Sequence, residues 1–370
     1  MILHDPRKAA PYMEKRRVET IRRADWASYD ALMVTNLKNV RYLTGFSGTA
    51  GVVALTQSEA WLITDFRYTT QASEQVIGVK VEEAKDLLAA MGAIASRMGM
   101  KRIGFEADHV TVSNLQEMEK KMEGAQLVPT SAVVEAARLV KDEAEMEAMD
   151  RLVDLLEESM GYARSLMRPG ALERDIAIEL ETAMRKRGAD GSAFEMIVAS
   201  GARGALPHGV ASAKAVEEEE AVTLDWGARG WGYHSDNTRT FLQRGVSDKI
   251  KEIYKVTLEA NEAAIEAVRP GVSLAQVDHV ARSLITRAGY GEYFGHGTGH
   301  GVGLDIHEAP KVSSASQEEA RPGMVFTIEP GIYLPGQGGV RIEDMIFVTE
   351  KGCRVMSQRI DKSMESMMLD

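Results

Sequence analysis

The second half of the chain carries four acids in two similar settings. Val222-Thr223-Leu224-Asp225 is a β-prone run ending in a carboxylate, and Asp236 follows 11 residues later, beyond a turn containing Gly227, Gly230 and Gly232. Val325-Phe326-Thr327-Ile328-Glu329 repeats the arrangement, and Glu343 stands 14 residues on, after Gly338-Gly339 and Val340-Arg341-Ile342. Aspartate is a poor strand former, and a carboxylate buried at the end of an apolar run is costly unless paired or bound to metal. Hairpins would let the acids of each pair meet, because side chains alternate along a strand and opposite residues share a face. Four converging carboxylates repel one another; two divalent cations would neutralise them.

Between the acid pairs lies a run of histidines, Gly295-His296-Gly297-Thr298-Gly299-His300-Gly301-Val302-Gly303-Leu304-Asp305-Ile306-His307-Glu308. The i, i+4 spacing of His296 and His300 would suit a zinc-binding helix, but glycine at every second position excludes one. A dinucleotide loop fails too, since no apolar strand precedes the glycines and no amphipathic helix follows them. An extended, closely approached backbone displaying imidazoles at 296, 300 and 307 remains. Three of the chain's 8 histidines fall within 12 residues here, which sets the run apart from scattered structural histidines. A fourth, weaker signal is Ile197-Val198-Ala199-Ser200-Gly201 followed by Leu206-Pro207-His208-Gly209, a strand running into a glycine loop with one histidine.

The elements that must hold these groups change character along the chain. Strand-like runs at Ala31 to Val34, Gly51 to Leu55, Ala60 to Thr64 and Lys101 to Phe105 alternate with helical stretches at Ser73 to Val76 and Asp86 to Met98, which implies a small α/β domain. Long helical patterns then run over Lys141 to Glu158, Leu172 to Arg187, Asp248 to Val268 and Leu274 to Ala288. With glycine-rich strand pairs among them they imply an α+β domain. We divide the chain into an N-terminal domain, 1–135, and a larger domain, 136–370. Glu217 to Glu220 reads as a solvated turn.

At 370 residues, 44% hydrophobic and 27% charged, the chain can bury two ordinary cores. Its net charge of −11 makes nucleic acid an unfavourable partner. The single Cys353 excludes an internal disulfide framework and suits a reducing cytoplasm. There is no apolar run of about 18 residues to span a membrane, and Met1 to Arg23 lacks the apolar core of a secretory signal. A soluble, cytoplasmic protein is expected.

Together these segments resemble the metallopeptidase family that contains aminopeptidase P, prolidase and methionine aminopeptidase, which share the pita-bread fold. Asn39-Val40-Arg41-Tyr42-Leu43-Thr44-Gly45-Phe46-Ser47-Gly48 and Thr64-Asp65-Phe66-Arg67-Tyr68 are similar to the creatinase-like N-terminal domain of aminopeptidase P and prolidase, which methionine aminopeptidases lack. The resemblance implies an α/β N-terminal domain followed by a pita-bread catalytic domain, and hydrolysis of the bond between an N-terminal residue and proline in small X-Pro peptides. It implies metal ligands Asp225, Asp236, His300, Glu329 and Glu343, with Asp236 and Glu343 bridging two divalent ions. So oxygen-rich a set suits Mn²⁺ and tolerates Co²⁺ or Fe²⁺. It further implies Glu329 as proton shuttle, His307 as donor to the developing oxyanion, His208 beside the scissile nitrogen, His296 at the proline wall and Arg341 behind the carboxylates. Lys311, in Ala309-Pro310-Lys311, would anchor the free carboxylate of a dipeptide. Arg67 and Tyr68 are candidates to face substrate, in a homodimer.

The resemblance leaves aminopeptidase P and prolidase unseparated. A methionine aminopeptidase of the same fold is a more distant alternative. A catalytically silent interaction protein on this fold would have lost ligands, and none of the five is lost. A creatinase-type hydrolase lacks the carboxylates.

Overall fold

The protein is described from a computed structural model covering residues 1–369. It divides into two compact units, Met1–Arg138 and the chain from Leu139 onward.

The first unit is built on a mixed six-stranded sheet in the order Lys80–Glu83, Ala60–Thr64, Val52–Leu55, Ala31–Val34, Arg102–Glu106, Gln126–Thr130. The four central strands are apolar and buried, and helices Leu87–Met98 and Val112–Lys121 add Met91, Ile94, Ala95 and Met118 to the core on one face. The two edge strands lie outside the apolar runs read from the sequence. Lys80–Glu83 carries charged residues on a largely exposed edge, so it has no alternation to detect. Pro6–Arg23 is a helix, capped by the Asp5 side chain with proline at its first position. Its buried side is Ala9, Met13, Arg16, Arg17 and Thr20. Two of those five are arginines: Arg17 donates to the Leu43 carbonyl (2.8 Å) and Arg16 lies over the Tyr42 ring. An apolar stripe is therefore missing although the helix packs. The expected helix at 73–76 starts earlier, at Thr69, directly after a 3₁₀ turn, Phe66–Tyr68, that Asp65 caps.

The second unit pairs every one of its strands antiparallel, consistent with the expected α+β arrangement. Its first helix, Glu143–Leu166, begins at a capping box between Asp142 and Glu145 and buries Met149, Leu152, Leu155 and Leu156 at helical spacing. Helices Glu173–Lys186, Asp248–Ala267 and Leu274–Arg287 each bury one stripe in the same way. Two sheets present the acids. One has the order Asn237–Leu242, Ala221–Trp226, Ile197–Ser200. The other has the order Glu308–Val312, Gly299–Gly301, Val325–Ile328, Asp344–Val348, Cys353–Val355. A two-stranded ribbon, Gly331–Leu334 with Gly338–Arg341, joins the two glutamate segments. Among the described residues no helix is long and apolar enough to cross a membrane.

Candidate metal centre and active site

Asp225 lies near the end of strand Ala221–Trp226, paired across the ladder with Thr238. Asp236 comes just before the partner strand, because a short hairpin, Ala228–Gly230 with Tyr233–His234, is inserted between them. Gly227 makes the departure possible: a Cβ there would lie 2.1 Å from the Ser235 carbonyl oxygen. Glu329 follows strand Val325–Ile328 and Glu343 precedes strand Asp344–Val348, whose first rung is Ile328 with Asp344. The backbone N–H of Glu343 donates to the Thr238 carbonyl (3.1 Å), which joins the glutamate segment to the aspartate hairpin. The two acid pairs are thereby brought into one group.

His300 enters from strand Gly299–Gly301, which runs close beside Val325–Ile328. A Cβ on Gly299 would sit 1.9 Å from the Thr327 carbonyl oxygen, so the glycine repeat is what lets the strand approach. The imidazole Nε2 of His300 lies 3.5 Å from Asp236 Oδ2 and 3.4 Å from Glu329 Oε1. Ligand atoms of Asp236, His300 and Glu343 all lie within 4.8 Å of one another. Asp225 and Glu329 border this trio. Arg341 Nη2 donates to Asp225 Oδ2 (2.7 Å), and Thr327 Oγ1 donates to Glu329 Oε1 (3.2 Å).

The donor set fits a divalent cation. Asp225 Oδ1 and Glu343 Oε1 are buried without any hydrogen-bond partner, which native proteins rarely tolerate. Burial first, and then the facing carboxylates Glu343, Asp225 and Glu329, push Asp236 well above the usual carboxylate range. Burial followed by Glu329 and Asp225 does the same to Glu343, and burial raises Glu329. Burial lowers His300, keeping its imidazole neutral as a metal ligand must be. A cation among these groups would remove the repulsion and occupy the orphaned oxygens.

A cavity of about 610 Å³ opens over the cluster. All five expected ligands line it, as do His208, His296, His307, Lys311 and Arg341. His307 packs edge-on against His300, ring centroids 4.3 Å apart, and burial followed by His300 lowers it. Lys311 stands directly opposite His300 on the neighbouring strand, so both side chains emerge on one face. Arg341 is buried; its guanidinium donates to Asp225, Thr238, Tyr333 and the Pro207 carbonyl, leaving it braced by protein rather than free for a ligand. Arg67 and Tyr68 belong to the first unit and are not among the cavity's lining residues. There Arg67 pairs with Asp65 (2.7 Å) and stacks on Tyr68, whose hydroxyl bonds Thr49.

Several site residues escape a reading of the sequence. Tyr333 bonds His296 Nε2 (2.8 Å) and accepts from Arg341, while the Thr238 hydroxyl donates to Glu343 Oε2 (2.7 Å). Phe194 forms part of the cavity wall. Thr238 and Thr327 each stand two residues from an acid, the spacing that puts side chains on one face of a strand; that was the available signal. Tyr333 and Phe194 gave none, since an aromatic in a strand-rich segment reads as core.

Residues 147–350 match metallopeptidase family M24, and residues 16–140 match the creatinase/prolidase N-terminal domain. The chain belongs to metallopeptidase family M24 and is a metallopeptidase with that N-terminal domain. The Xaa-Pro dipeptidase of Pyrococcus horikoshii is 36% identical over 334 residues, covering 90% of this chain and 94% of that one. The solved structure of an Xaa-Pro dipeptidase from Bacillus anthracis is 41% identical, with a TM-score of 0.93 over 96% of this chain and 100% of its own. That of an X-Pro aminopeptidase from Thermotoga maritima MSB8 is 36% identical, with a TM-score of 0.84, covering 89% of this chain and 95% of that one.

Proposed function

We propose that this chain is an Xaa-Pro dipeptidase, cleaving the bond between an N-terminal residue and a C-terminal proline with two divalent metal ions, Mn²⁺ by preference. The observation that carries the reading is the buried acid–histidine cluster with orphaned oxygens at the base of a cavity rimmed by His208, His296, His307 and Lys311. The names of the relatives at 36% and 41% identity point to the same substrate class.

When bound, the metal pair supplies a nucleophile at neutral pH and polarises the scissile carbonyl. Asp225, Asp236, His300, Glu329 and Glu343 would hold it. Glu329, whose carboxyl burial has raised, takes the proton of the attacking solvent and returns it to the leaving nitrogen. His307 donates to the carbonyl oxygen as charge develops there. His208 orients the scissile nitrogen, which in an X-Pro bond carries no hydrogen. His296, fixed by Tyr333 and edge-on to Phe294, forms the wall against the proline ring. Arg341 holds Asp225 and so steadies the carboxylate group.

The choice of dipeptide over longer peptide rests on Lys311, which shares a face with His300 and lines the same cavity, where it would pair with a free carboxylate. Purified protein loaded with Mn²⁺ is expected to turn over Ala-Pro faster than Ala-Pro-Ala, and Lys311→Ala to raise KM for the dipeptide alone. Preference for the tripeptide, with the dipeptide unaffected by Lys311→Ala, would instead favour an aminopeptidase P. Hydrolysis of Ala-Ala as fast as Ala-Pro would remove the proline specificity. We also propose that it works in the cytoplasm, a reading supported by its lone thiol, and as a homodimer, which the resemblance to aminopeptidase P and prolidase implies.

A further inference from the structure

A second cavity of about 870 Å³ is lined by Asp344 and Lys362 and shares no lining residue with the substrate cavity. Asp344 immediately follows Glu343 and is as buried, but its surroundings are the reverse. Its Oδ1 accepts from Arg239 Nη2 (2.8 Å) and Ser357 Oγ (2.7 Å), and its Oδ2 accepts from Lys362 Nζ (2.8 Å).

Arg239 is wholly buried and spends all five N–H groups on protein acceptors. Nε donates to the Asp361 carbonyl (3.0 Å), and Nη1 to the carbonyls of Thr238 (2.9 Å) and Glu343 (2.6 Å). Nη2 donates to Asp344 and to the Ile360 carbonyl (2.5 Å). Lys362 also donates to Asn261 Oδ1 (2.6 Å). Asn261, buried on helix Asp248–Ala267, donates in turn to the carbonyls of Ile328 (2.9 Å) and Ile342 (3.3 Å). Those two peptides immediately precede Glu329 and Glu343. The backbone of Glu343 is thus held on both sides and that of Glu329 on one, all by groups that connect to residues 360–362.

We infer that Arg239, Asp344, Lys362 and Asn261 form a positioning network that places Glu329 and Glu343 for metal binding and is tied together by Lys362 on the C-terminal segment. The Thr238 hydroxyl fixes Glu343 Oε2, so a held backbone also decides where the unpartnered Glu343 Oε1 points. None of the four residues enters the substrate cavity's lining, so they act through the glutamates rather than on substrate. The inference rests on the metal-centre reading above.

Lys362 is the residue to change, because its side chain is 21% exposed and its loss leaves the fully buried Arg239–Asp344 pair in place. Metal-depleted protein is titrated with Mn²⁺ by calorimetry, and Tm is measured with and without Mn²⁺. For Lys362→Met the expected result is an affinity weakened about tenfold or more, the range for outer partners of metal ligands, with recovery in Lys362→Arg. The rise in Tm on adding Mn²⁺ should shrink in step. An unchanged affinity, whether or not the metal-free protein melts earlier, overturns the inference and leaves the network a stabiliser of the fold alone. Lys362→Gln, which keeps a donor toward Asn261 but no charge, replaces the methionine variant if that one is not recovered folded. If the native chain itself takes up no Mn²⁺, the metal-centre reading falls, and this inference with it.

Discussion

Glu343 and Asp344 are neighbours in sequence and both are buried, yet they lie in opposite electrostatic worlds. Glu343 faces Asp225, Asp236 and Glu329, with one carboxylate oxygen unpartnered, and its carboxyl is pushed well up by burial and then by Glu329 and Asp225. Burial alone would raise Asp344 too, but Arg239 and Lys362 outweigh it and hold the group at about 2. An extended chain sends successive side chains to opposite sides, so one strand can serve a repelling cluster on its front and a neutralised one on its back. On the front one protein cation, Arg341, pairs with Asp225 and leaves Glu343 Oε1 unpartnered, whereas at the rear Arg239 and Lys362 both bond the single carboxylate of Asp344. That difference separates a functional site from a structural one more sharply than burial or acid count does.

The contrast is tested most strongly by removing the front charge. Glu343→Gln is expected to reduce peptidase turnover by more than about 100-fold, beyond the effect of losing an outer partner of a metal ligand. The metal-free variant should nonetheless be as stable as the native chain or more so, because a repelling carboxylate has gone. A clear drop in metal-free Tm would show that Glu343 is structural instead. At the rear, Asp344→Ala should do the opposite, destabilising the protein by about 3–5 kcal/mol with or without metal, since it strands two cations. Urea unfolding measures it, and a cost below about 1 kcal/mol would mean that solvent from the adjoining cavity compensates.

The smallest effect expected is on pH. Asp236, Glu329 and Glu343 titrate above their unfolded values, so the folded metal-free chain holds protons that the unfolded chain has lost. Its stability should therefore fall as pH rises from about 4 through their folded values. Cation binding displaces those protons, so the gain in Tm on adding Mn²⁺ should be larger at pH 8 than at pH 5.5. Asp344 contributes with the other sign. Its stabilisation is complete above about 4 and is lost only as pH falls through 2. A Tm gain independent of pH between 5.5 and 8 would mean that the front carboxylates are not the groups that receive the ion.

Much of the candidate site could be read from residue order. Asp225 and Glu329 each end an apolar run, where a buried acid demands a partner, and Asp236 and Glu343 follow 11 and 14 residues on, beyond glycine-containing turns. The glycine repeat around His300 excluded a helix by propensity alone, and Gly299 is pressed against the Thr327 carbonyl oxygen as such a strand requires. Other features were invisible for identifiable reasons. Helix Pro6–Arg23 packs through Arg16 and Arg17, so it lacks the period that marks a buried face. Tyr333 and Phe194 reach the cavity from segments whose pattern says only core.

The sequence by itself determined the chemistry available: which acids and imidazoles would have to be buried, and the strands that carry them. Residue types and local periodicity set these, and both are properties of short stretches. Only the tertiary structure decided that the aspartate hairpin and the glutamate segment meet through the Glu343 to Thr238 backbone bond, that Arg341 serves Asp225, and that Asp344 belongs to a different cluster from Glu343. Arg239 and Asp344 are 105 residues apart, and Lys362 and Asn261 are 101 apart. No local pattern encodes such pairings, because the energy of a buried charge depends on what the rest of the fold brings to it.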